Sequence, residues 1–438
     1  EFRMMNNLNL LAILLYKFTH ALLGIGTIFI IVFTLSPNMQ GWYYTMLSIA
    51  SLYVLFEFGL SNLLIFKSAN YFSKLKWSKD VVDGDKDIIE EFYKFFKSST
   101  LLYVYISIMS FFIIYPIGSY VLEKNNPSEV INNWKNIWFL LILFTSINLA
   151  STSVLHIYEG AGKIREIYLL RTAQQITGVL ITWLLLTNNF EVISLLALPI
   201  SCLSIFIIWL YVYGREVRVI IKSNISFNAY DWRKYIGHLR LQIGFSTISL
   251  YIITQTIVPF VFYFTSPVLA GQIALTITAC NMLSLVCISW IQQNIPLYSS
   301  LTASNNIMLF NRLFTKNALQ SIALYFISLI TIFFIIFHID PFSIMQRFAS
   351  MDLFVYLAIY FFIYHMLVIL VNYSRVYLND KLYLTLIASS VIHVFVMIAG
   401  LTYYDVEITV GLIGISLFLF ILPYSFYIIK TSYNLSGR

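Results

Sequence analysis

The chain has 438 residues and a net charge of +7, 59% of its residues are of the types AVILMFWYC, and only 11% are charged. Ordinary soluble domains are about a quarter charged, and a mean hydropathy of +0.81 leaves more apolar surface than a soluble core of this length could cover. The composition excludes a disordered chain, a collagen-like fibre and a disulfide-stapled secreted module, and it argues against a cytosolic enzyme.

Continuous apolar runs of about 20 residues, the length that crosses a bilayer as an α-helix, recur along the chain. Twelve such segments are predicted, at 11–35, 43–66, 99–121, 136–157, 167–187, 190–213, 240–264, 268–291, 314–338, 353–374, 382–403 and 407–429. The runs are continuous rather than alternating, so barrel strands do not fit. We expect an all-α polytopic membrane protein with about twelve transmembrane helices.

Two connections between these segments are longer than the rest. Within 67–98, apolar residues at positions 88, 89, 92, 95 and 96 share one helical face, which predicts a helix lying in the inner membrane interface before the third span. Residues 214–239 carry a basic stretch and are expected to form a cytoplasmic linker between two halves of the chain.

Lysine and arginine fall almost entirely on one side of this topology. With the N-terminus in the cytoplasm, 23 of the 27 lie on the cytoplasmic side, 3 lie outside and Lys17 lies within the first helix. Positive charges favour cytoplasmic loops, so both termini are predicted to be cytoplasmic. The positive net charge therefore reflects orientation in a membrane, and the sequence suggests no nucleic-acid partner.

The two halves of the chain share local patterns. Ser36-Pro37 lies shortly before Gly41 at the start of the second segment, and Ser266-Pro267 lies in the same relation to Gly271. We interpret this match as two six-helix repeats of the same topology, at 4–213 and 240–430. The alternative is coincidence within a biased composition.

Ionisable residues inside the apolar segments need a physical reason, because each costs about 2.5–3.5 kcal/mol on insertion scales. Glu57 lies in Phe56-Glu57-Phe58-Gly59 on the second helix, at about the same depth as His20 on the first. Lys17 is one turn from His20. One interpretation is a buried ion pair that fastens the two helices; the other is a protonatable coupling site in which Lys17 or His20 is the partner of Glu57.

Two arginines lie near the predicted inner ends of helices. Arg171 begins a polar stripe on the fifth helix, and Arg240 begins another on the seventh. Either side chain could snorkel to the headgroups, or it could bind an anionic cargo.

Two histidines, His365 and His393, fall near mid-membrane on helices ten and eleven. A histidine in such a position is either a hydrogen-bonded core residue or an ion-coupling group. Tyr360 and Tyr364 belong to an aromatic ladder on helix ten, which fits either packing or a sugar-binding lumen.

Enzyme motifs are absent from the sequence. It has no Gly-rich phosphate loop, no metal-spaced Cys/His cluster and no His-Glu-x-x-His. We therefore expect no catalytic residue, no metal and no cofactor, and transport is the function class that the sequence favours.

Several short motifs resemble those of a known family. Gly41-Trp42-Tyr43 and Phe58-Gly59-Leu60 are similar to the beginning and the inner end of helix two in Wzx-type O-antigen flippases. Glu159-Gly160-Ala161-Gly162-Lys163 is similar to their connection between helices four and five. The chain thus resembles these members of the multidrug/oligosaccharidyl-lipid/polysaccharide (MOP) exporter superfamily.

The resemblance implies two six-helix lobes around a central cavity that opens alternately to each side of a bacterial inner membrane. The cargo would be an undecaprenyl-diphosphate-linked oligosaccharide, an O-antigen or polysaccharide repeat unit, moved from the cytoplasmic to the periplasmic leaflet. Expected partners are a coupling ion (H⁺ or Na⁺), membrane lipids, a polysaccharide polymerase and a chain-length regulator. The residues expected to contact the cargo are Lys17, His20, Arg171, Arg240, Tyr360 and Tyr364, and those expected to couple ions are Glu57, His365 and His393.

Three alternatives remain at this stage. A cation or drug antiporter of the same fold would also use an acidic residue such as Glu57. An O-antigen polymerase or ligase would need a large periplasmic loop, which the predicted topology lacks. A membrane scaffold without transport activity would tolerate the loss of every intramembrane charge.

Overall fold

The structure is a computed structural model that describes residues 2–78, 81–125, 131–224, 238–340, 344–377 and 380–432. In these ranges the elements follow one another in the order α1 (Phe2–Thr34), α2 (Pro37–Ala50), α3 (Tyr53–Glu57), α4 (Leu60–Phe72), β1 (Lys76–Ser78), β2 (Val81–Asp83), α5 (Lys86–Glu123), α6 (Trp134–Gly160), α7 (Ile164–Thr187), α8 (Ala197–Val212), α9 (Arg215–Lys222), α10 (His238–Gln255), α11 (Ile257–Phe264), α12 (Pro267–Gln292), α13 (Ile295–Ala303), α14 (Ile307–Phe334), α15 (Met351–Val376), α16 (Tyr383–Tyr403), α17 (Val406–Ser416) and α18 (Leu422–Ser432). Short 3₁₀ turns cover Glu191–Leu196 and Met345–Arg347, and π-helical turns cover Ile335–Ile339 and Leu417–Ile421.

The described residues contain 11 helices that are long and apolar enough to cross a membrane, or 12 if one bent pair is a single span. They occur where the sequence predicts transmembrane segments. The predicted all-α polytopic membrane fold is therefore confirmed. Hydropathy locates these helices because each must present about 20 apolar residues to lipid.

The second span is bent, whereas the sequence predicts one helix over 43–66. Its two parts, Pro37–Glu57 and Leu60–Phe72, meet at an angle of 45°. Phe58 and Gly59 lie between them in left-handed conformation, with φ of 50° and 68°. This conformation is uncommon for a residue other than glycine. The break leaves Glu57 as the last residue of α3, inside the membrane-spanning segment.

The third span corrects the prediction of a separate interfacial helix. α5 runs without interruption from Lys86 to Glu123 and contains both the predicted interfacial face and the predicted span. Phe92, Phe95 and Phe96 on that face are fully buried in a protein core that also includes helices α4, α6 and α9. The apolar face thus packs against protein, because neighbouring helices cover it instead of the membrane surface.

A short hairpin packs against the turn between α6 and α7. β1 and β2 are antiparallel, with Trp77 opposite Val82. The Trp77 indole donates a hydrogen bond to the Ala161 carbonyl (3.0 Å). Lys163 lies over the Trp77 ring at 4.3 Å and pairs with Glu216 of α9 at 2.6 Å. These contacts fix the α6–α7 turn, which connects the helix that contains Glu159 to the helix that contains Arg171.

The chain divides into two compact units. The first unit comprises Glu1–Leu35 and Ile49–Gly237, and the second comprises Ser36–Ser48 and His238–Arg438. The beginning of α2 thus packs with the C-terminal half of the chain. The lobe boundaries 4–213 and 240–430 predicted from the sequence remain a prediction.

The two predicted repeat motifs meet within the second unit. Ser36 and Ser266 cap α2 and α12 in the same way, each hydroxyl accepting a hydrogen bond from the amide three residues later. The helices cross so closely that a Cβ on Gly41 would lie 1.8 Å from the Pro267 carbonyl oxygen. The Gln40 amide donates to the Gly271 carbonyl (2.9 Å) at the same crossing. Only glycine fits at this position without moving a backbone.

We predict that Gly41→Ala lowers stability by roughly 1–3 kcal/mol, because the added methyl group must displace a backbone carbonyl. Thermal unfolding of the purified protein in detergent measures the effect. Gly414→Ala is the matched control: Gly414 is also helical, and a Cβ there would meet no atom within 4 Å. Equal melting temperatures for the two variants would contradict the close crossing.

Candidate functional site

The break in the second span places the Glu57 carboxylate against three other elements. Oε1 accepts a hydrogen bond from the Tyr103 hydroxyl of α5 at 2.9 Å and lies 3.5 Å from Nε2 of His156 on α6. The Ser61 side chain, in the first turn of α4, also hydrogen-bonds this carboxylate. An acidic side chain inside a membrane span is thus surrounded by donors.

His156 lies between two carboxylates and a guanidinium. While Nε2 faces Glu57, Nδ1 lies 3.9 Å from Oε2 of Glu159, three residues further along α6. Nδ1 also lies 3.4 Å from Nη2 of Arg171 on α7. Each ring nitrogen therefore has a charged neighbour, and the imidazole connects the two acidic side chains.

Arg171 and Glu159 form the shortest ion pair of this group, with 2.9 Å between Nη2 and Oε2. The Tyr168 hydroxyl donates to the other oxygen of Glu159 at 3.1 Å. The guanidinium lies over the Tyr168 ring, 5.2 Å from its centroid, and Tyr16 of α1 packs edge-on against that ring. Arg171 is thus paired within the protein in this structure, and its two predicted roles, snorkelling and binding of an anionic cargo, stay predictions.

The four charged side chains, here called the unit 1 ion network, are Glu57, His156, Glu159 and Arg171. Their exposed fractions lie between 14% and 19%. Two carboxylates and one guanidinium sum to −1 when the imidazole is neutral and to zero when it is protonated. A single proton therefore decides whether this largely desolvated group carries net charge, which costs far more inside a membrane than in water.

The structure brings together some of the residues singled out from the sequence. Glu57 and Arg171 belong to the same ion network, although the sequence places them on different helices without linking them. Lys17 and His20 are exposed on α1, where the His20 ring lies 6.1 Å from that of Tyr16. The structure pairs Glu57 with His156, and a partnership of Glu57 with Lys17 or His20 stays a prediction.

His365 lies in the second unit and is fully buried. Nδ1 is 2.7 Å from the Ser284 hydroxyl and Nε2 is 3.0 Å from that of Ser321. Ser321 donates its own proton to the Cys287 carbonyl, so Nε2–H must donate to Ser321 and Nδ1 must accept from Ser284. A neutral imidazole satisfies every one of these contacts, as a hydrogen-bonded core histidine would, and a role for His365 in ion coupling stays a prediction.

His393 and Tyr360 are buried together in the second unit, beside the junction of α10 and α11. The Tyr360 hydroxyl donates to the Ile253 carbonyl (2.9 Å) and lies 3.2 Å from Nδ1 of His393. Nε2 of His393 is 3.2 Å from the Thr256 hydroxyl. Tyr360 is fully buried, so its hydroxyl serves the helix junction, which is the packing alternative for the tyrosine ladder.

Two further predicted residues also belong to the second unit. Tyr364 is half-buried and hydrogen-bonds Thr254. Arg240 lies in the first turn of α10, and its side chain falls outside what the structure describes. A role for either residue in cargo binding stays a prediction.

Sequence reasoning missed His156 and Tyr103 as partners of Glu57, and it missed Glu159 as the partner of Arg171. The spacing of His156 and Glu159, three apart on one helix face with Arg171 twelve residues after Glu159, was the available signal. Glu159 was considered only as part of a turn motif. The role of Tyr103 depends on which helices pack together, and hydropathy carries no information about that.

No family model matches the sequence, and no curated protein matches it. Solved structures do match, over nearly the whole chain. A multidrug resistance MATE family transporter of the MOP superfamily, in an inward-facing conformation, is 12% identical, with a TM-score of 0.55 and coverage of 97% of this chain and 96% of that one. The lipid II flippase MurJ, in an inward closed conformation, is 15% identical, with a TM-score of 0.55 and coverage of 98% and 93%.

An outward-facing MATE family transporter is 10% identical, with a TM-score of 0.51 and coverage of 99% and 96%. At these identities the likeness shows the fold and leaves the cargo open. The chain therefore has the fold of the MOP superfamily transporters, to which its sequence motifs had pointed. The neighbours are transporters and a flippase.

We predict that Glu159→Gln lowers the stability of the first unit by about 3–5 kcal/mol, since it leaves Arg171 buried without its carboxylate partner. Thermal unfolding in detergent checks this. Glu90→Gln is the control, because the Glu90–Lys94 pair on α5 is exposed and such pairs contribute little. A Glu159→Gln protein as stable as the Glu90→Gln protein would show that the guanidinium is solvated from outside.

Proposed function

We propose that the protein is a flippase that moves an undecaprenyl-diphosphate-linked oligosaccharide, an O-antigen or polysaccharide repeat unit, from the cytoplasmic to the periplasmic leaflet. A hydroxyl-rich sugar and a diphosphate cannot cross hydrocarbon unaided. The MOP superfamily fold and the resemblance to Wzx-type flippases support this proposal. Alternating access coupled to an ion would drive the movement.

The observation that carries the proposal is the position of Arg171. It is an arginine within a membrane span, 19% exposed, and its guanidinium can be offered to an anion that displaces Glu159. Arginine forms bidentate pairs with phosphate oxygens. A diphosphate headgroup has the chemistry that such a residue recognises, whereas a cationic drug does not.

A cation or drug antiporter is the second candidate. Two carboxylates, Glu57 and Glu159, lie in the same network, and the MATE transporters match the fold as well as the lipid II flippase does. For this candidate the carboxylates would bind the cation, and Arg171 would balance charge.

The location and the partners belong to the same proposal. The 23-to-3 division of basic residues supports cytoplasmic termini, and the resemblance to Wzx-type flippases supports a location in a bacterial inner membrane. A coupling ion, membrane lipids, a polysaccharide polymerase and a chain-length regulator are the proposed partners. The six-helix lobes 4–213 and 240–430, joined by the linker 214–239, are proposed as the units that alternate.

We predict that a single cysteine at Asn189 is labelled by an impermeant thiol reagent added to intact cells, and that one at Asn224 is not. Both positions are exposed, so accessibility reports the side of the membrane. Cys202, Cys280 and Cys287 are replaced by alanine beforehand. Labelling of Asn224→Cys without cell disruption would reverse the orientation.

We predict that Arg171→Gln slows glycolipid translocation at least tenfold, because the headgroup loses its intramembrane cation. The assay uses proteoliposomes that contain labelled undecaprenyl-diphosphate oligosaccharide and measures the fraction of sugar reached by an impermeant glycosidase. Arg165→Gln, an exposed arginine on the same helix, should keep the wild-type rate. Arg171→Lys keeps the positive charge and should retain most of the translocation rate.

The rates are compared per folded protein, so that reduced stability is not counted as reduced transport. If wild-type protein leaves the glycolipid in its leaflet but exchanges a hydrophobic cation for protons, the antiporter candidate replaces the flippase. If Arg171→Gln translocates glycolipid at the wild-type rate, Arg171 does not bind the headgroup.

A further inference from the structure

We propose that His156 is the proton-binding residue of the unit 1 ion network, and that its proton controls whether Arg171 is held as the cation that pairs with Glu159 or is available to an anionic headgroup. The identity of that anion rests on the proposed function. The proton switch itself rests on the geometry around one imidazole ring.

Glu57 is a poor proton acceptor in this arrangement because it already accepts from three groups. Tyr103, Ser61 and the Nε2 side of His156 all face its carboxylate. Hydrogen-bond donors around a carboxylate stabilise its ionised form over its protonated form. The ionised form of Glu57 is the one that its surroundings satisfy.

Nδ1 of His156 has two neighbours that demand opposite protonation states. Arg171 Nη2, at 3.4 Å, can only donate, so this contact requires a bare Nδ1. Glu159 Oε2, at 3.9 Å, can only accept while ionised, so that contact requires an Nδ1–H. The nearer contact is with Arg171, and a neutral ring with a bare Nδ1 fits that contact.

A proton on Nδ1 would place two cations 3.4 Å apart. Arg171 must then leave Nδ1, and the imidazolium turns its new N–H toward Glu159. In this second arrangement the imidazolium becomes a second cationic partner of Glu159, so that Arg171 can leave Glu159 without leaving that carboxylate unpaired, while Nε2–H continues to donate to Glu57. Both arrangements satisfy the imidazole, so the network has two states that differ by one proton and by the freedom of the guanidinium.

The other groups around His156 are compatible with both arrangements of the network. Tyr103 comes from α5, Glu57 from α3, and Tyr168 and Arg171 from α7, while Tyr16 of α1 contacts Tyr168. Tyr103 and Tyr168 are neutral donors to the two carboxylates, and Tyr16 contacts the Tyr168 ring. Among these groups the imidazole is the one whose proton changes the sum of the charges while both carboxylates stay ionised.

The linkage to an anion follows from reciprocity. If protonation frees Arg171, then an anion that binds Arg171 must favour protonation by the same factor. A short isoprenoid diphosphate, farnesyl diphosphate, is a suitable probe because it carries the headgroup without the sugar. Its own titration is common to every variant and cancels in comparison.

The first test needs no ligand. Imidazole ¹⁵N signals are recorded in nanodiscs between pH 5 and 8, and His156 is assigned by the signal missing from His156→Gln. In Arg171→Gln the titration curve of His156 should move to higher pH by about one unit, because a neighbouring cation is gone. His338→Gln, an exposed histidine variant, should leave it unchanged. A curve that does not respond to Arg171→Gln overturns the switch.

The second test measures proton uptake when farnesyl diphosphate binds, by calorimetry in buffers of different ionisation enthalpy. Wild type and His338→Gln should take up more protons per ligand than His156→Gln. Equal uptake in all three overturns the linkage. If farnesyl diphosphate does not bind wild type although the His156 titration responds to Arg171, the flippase proposal fails and the switch stands.

Discussion

A charged side chain inside a bilayer must find its counter-charges within the protein, because hydrocarbon offers it neither water nor ions. In the first unit this constraint is met by bringing residues from several helices to one histidine. The break at Phe58 and Gly59 is part of the solution. In a continuous helix Glu57 would be an interior residue of the second span. The break makes Glu57 the last residue of α3, where its carboxylate contacts α5 and α6. Non-helical backbone at membrane depth is tolerated where protein covers it.

Arg171 and His156 lie at different distances from the turn between α6 and α7, and their side chains must nevertheless meet. Arg171 lies about 10 Å along α7 from Ile164, while His156 lies only about 6 Å before the end of α6. Side chains on a helix point toward its N-terminus, so the long arginine side chain reaches back toward the turn and meets Glu159. The Trp77 hairpin and the Lys163–Glu216 pair fix that turn. The hairpin and the Lys163–Glu216 pair thereby help to position Glu159 and Arg171, which lie within candidate membrane spans.

The sequence predicts what depends on local composition and misses what depends on pairing between helices. The twelve spans are found because each must be apolar over its own length. Glu57 and Arg171 are found because a charge in such a run is conspicuous. Their link through His156 is not found, since it requires knowing that α3, α6 and α7 are neighbours. The face of α5 that contains Phe92 is misassigned for the same reason: its pattern is identical whether lipid or protein covers it.

The network contains a guanidinium that an anionic cargo would bind and two carboxylates that a cationic cargo would bind, and the charge of the cargo would fix how protons are linked to it. An anion at Arg171 competes with the carboxylate for the guanidinium and so favours the imidazolium of His156. A cation at Glu57 or Glu159 competes with the imidazolium for a carboxylate and so favours the neutral ring. Reciprocity makes the first linkage positive and the second negative. Two transporters with the fold of this chain could thus share one proton site and differ in the direction in which cargo moves relative to protons.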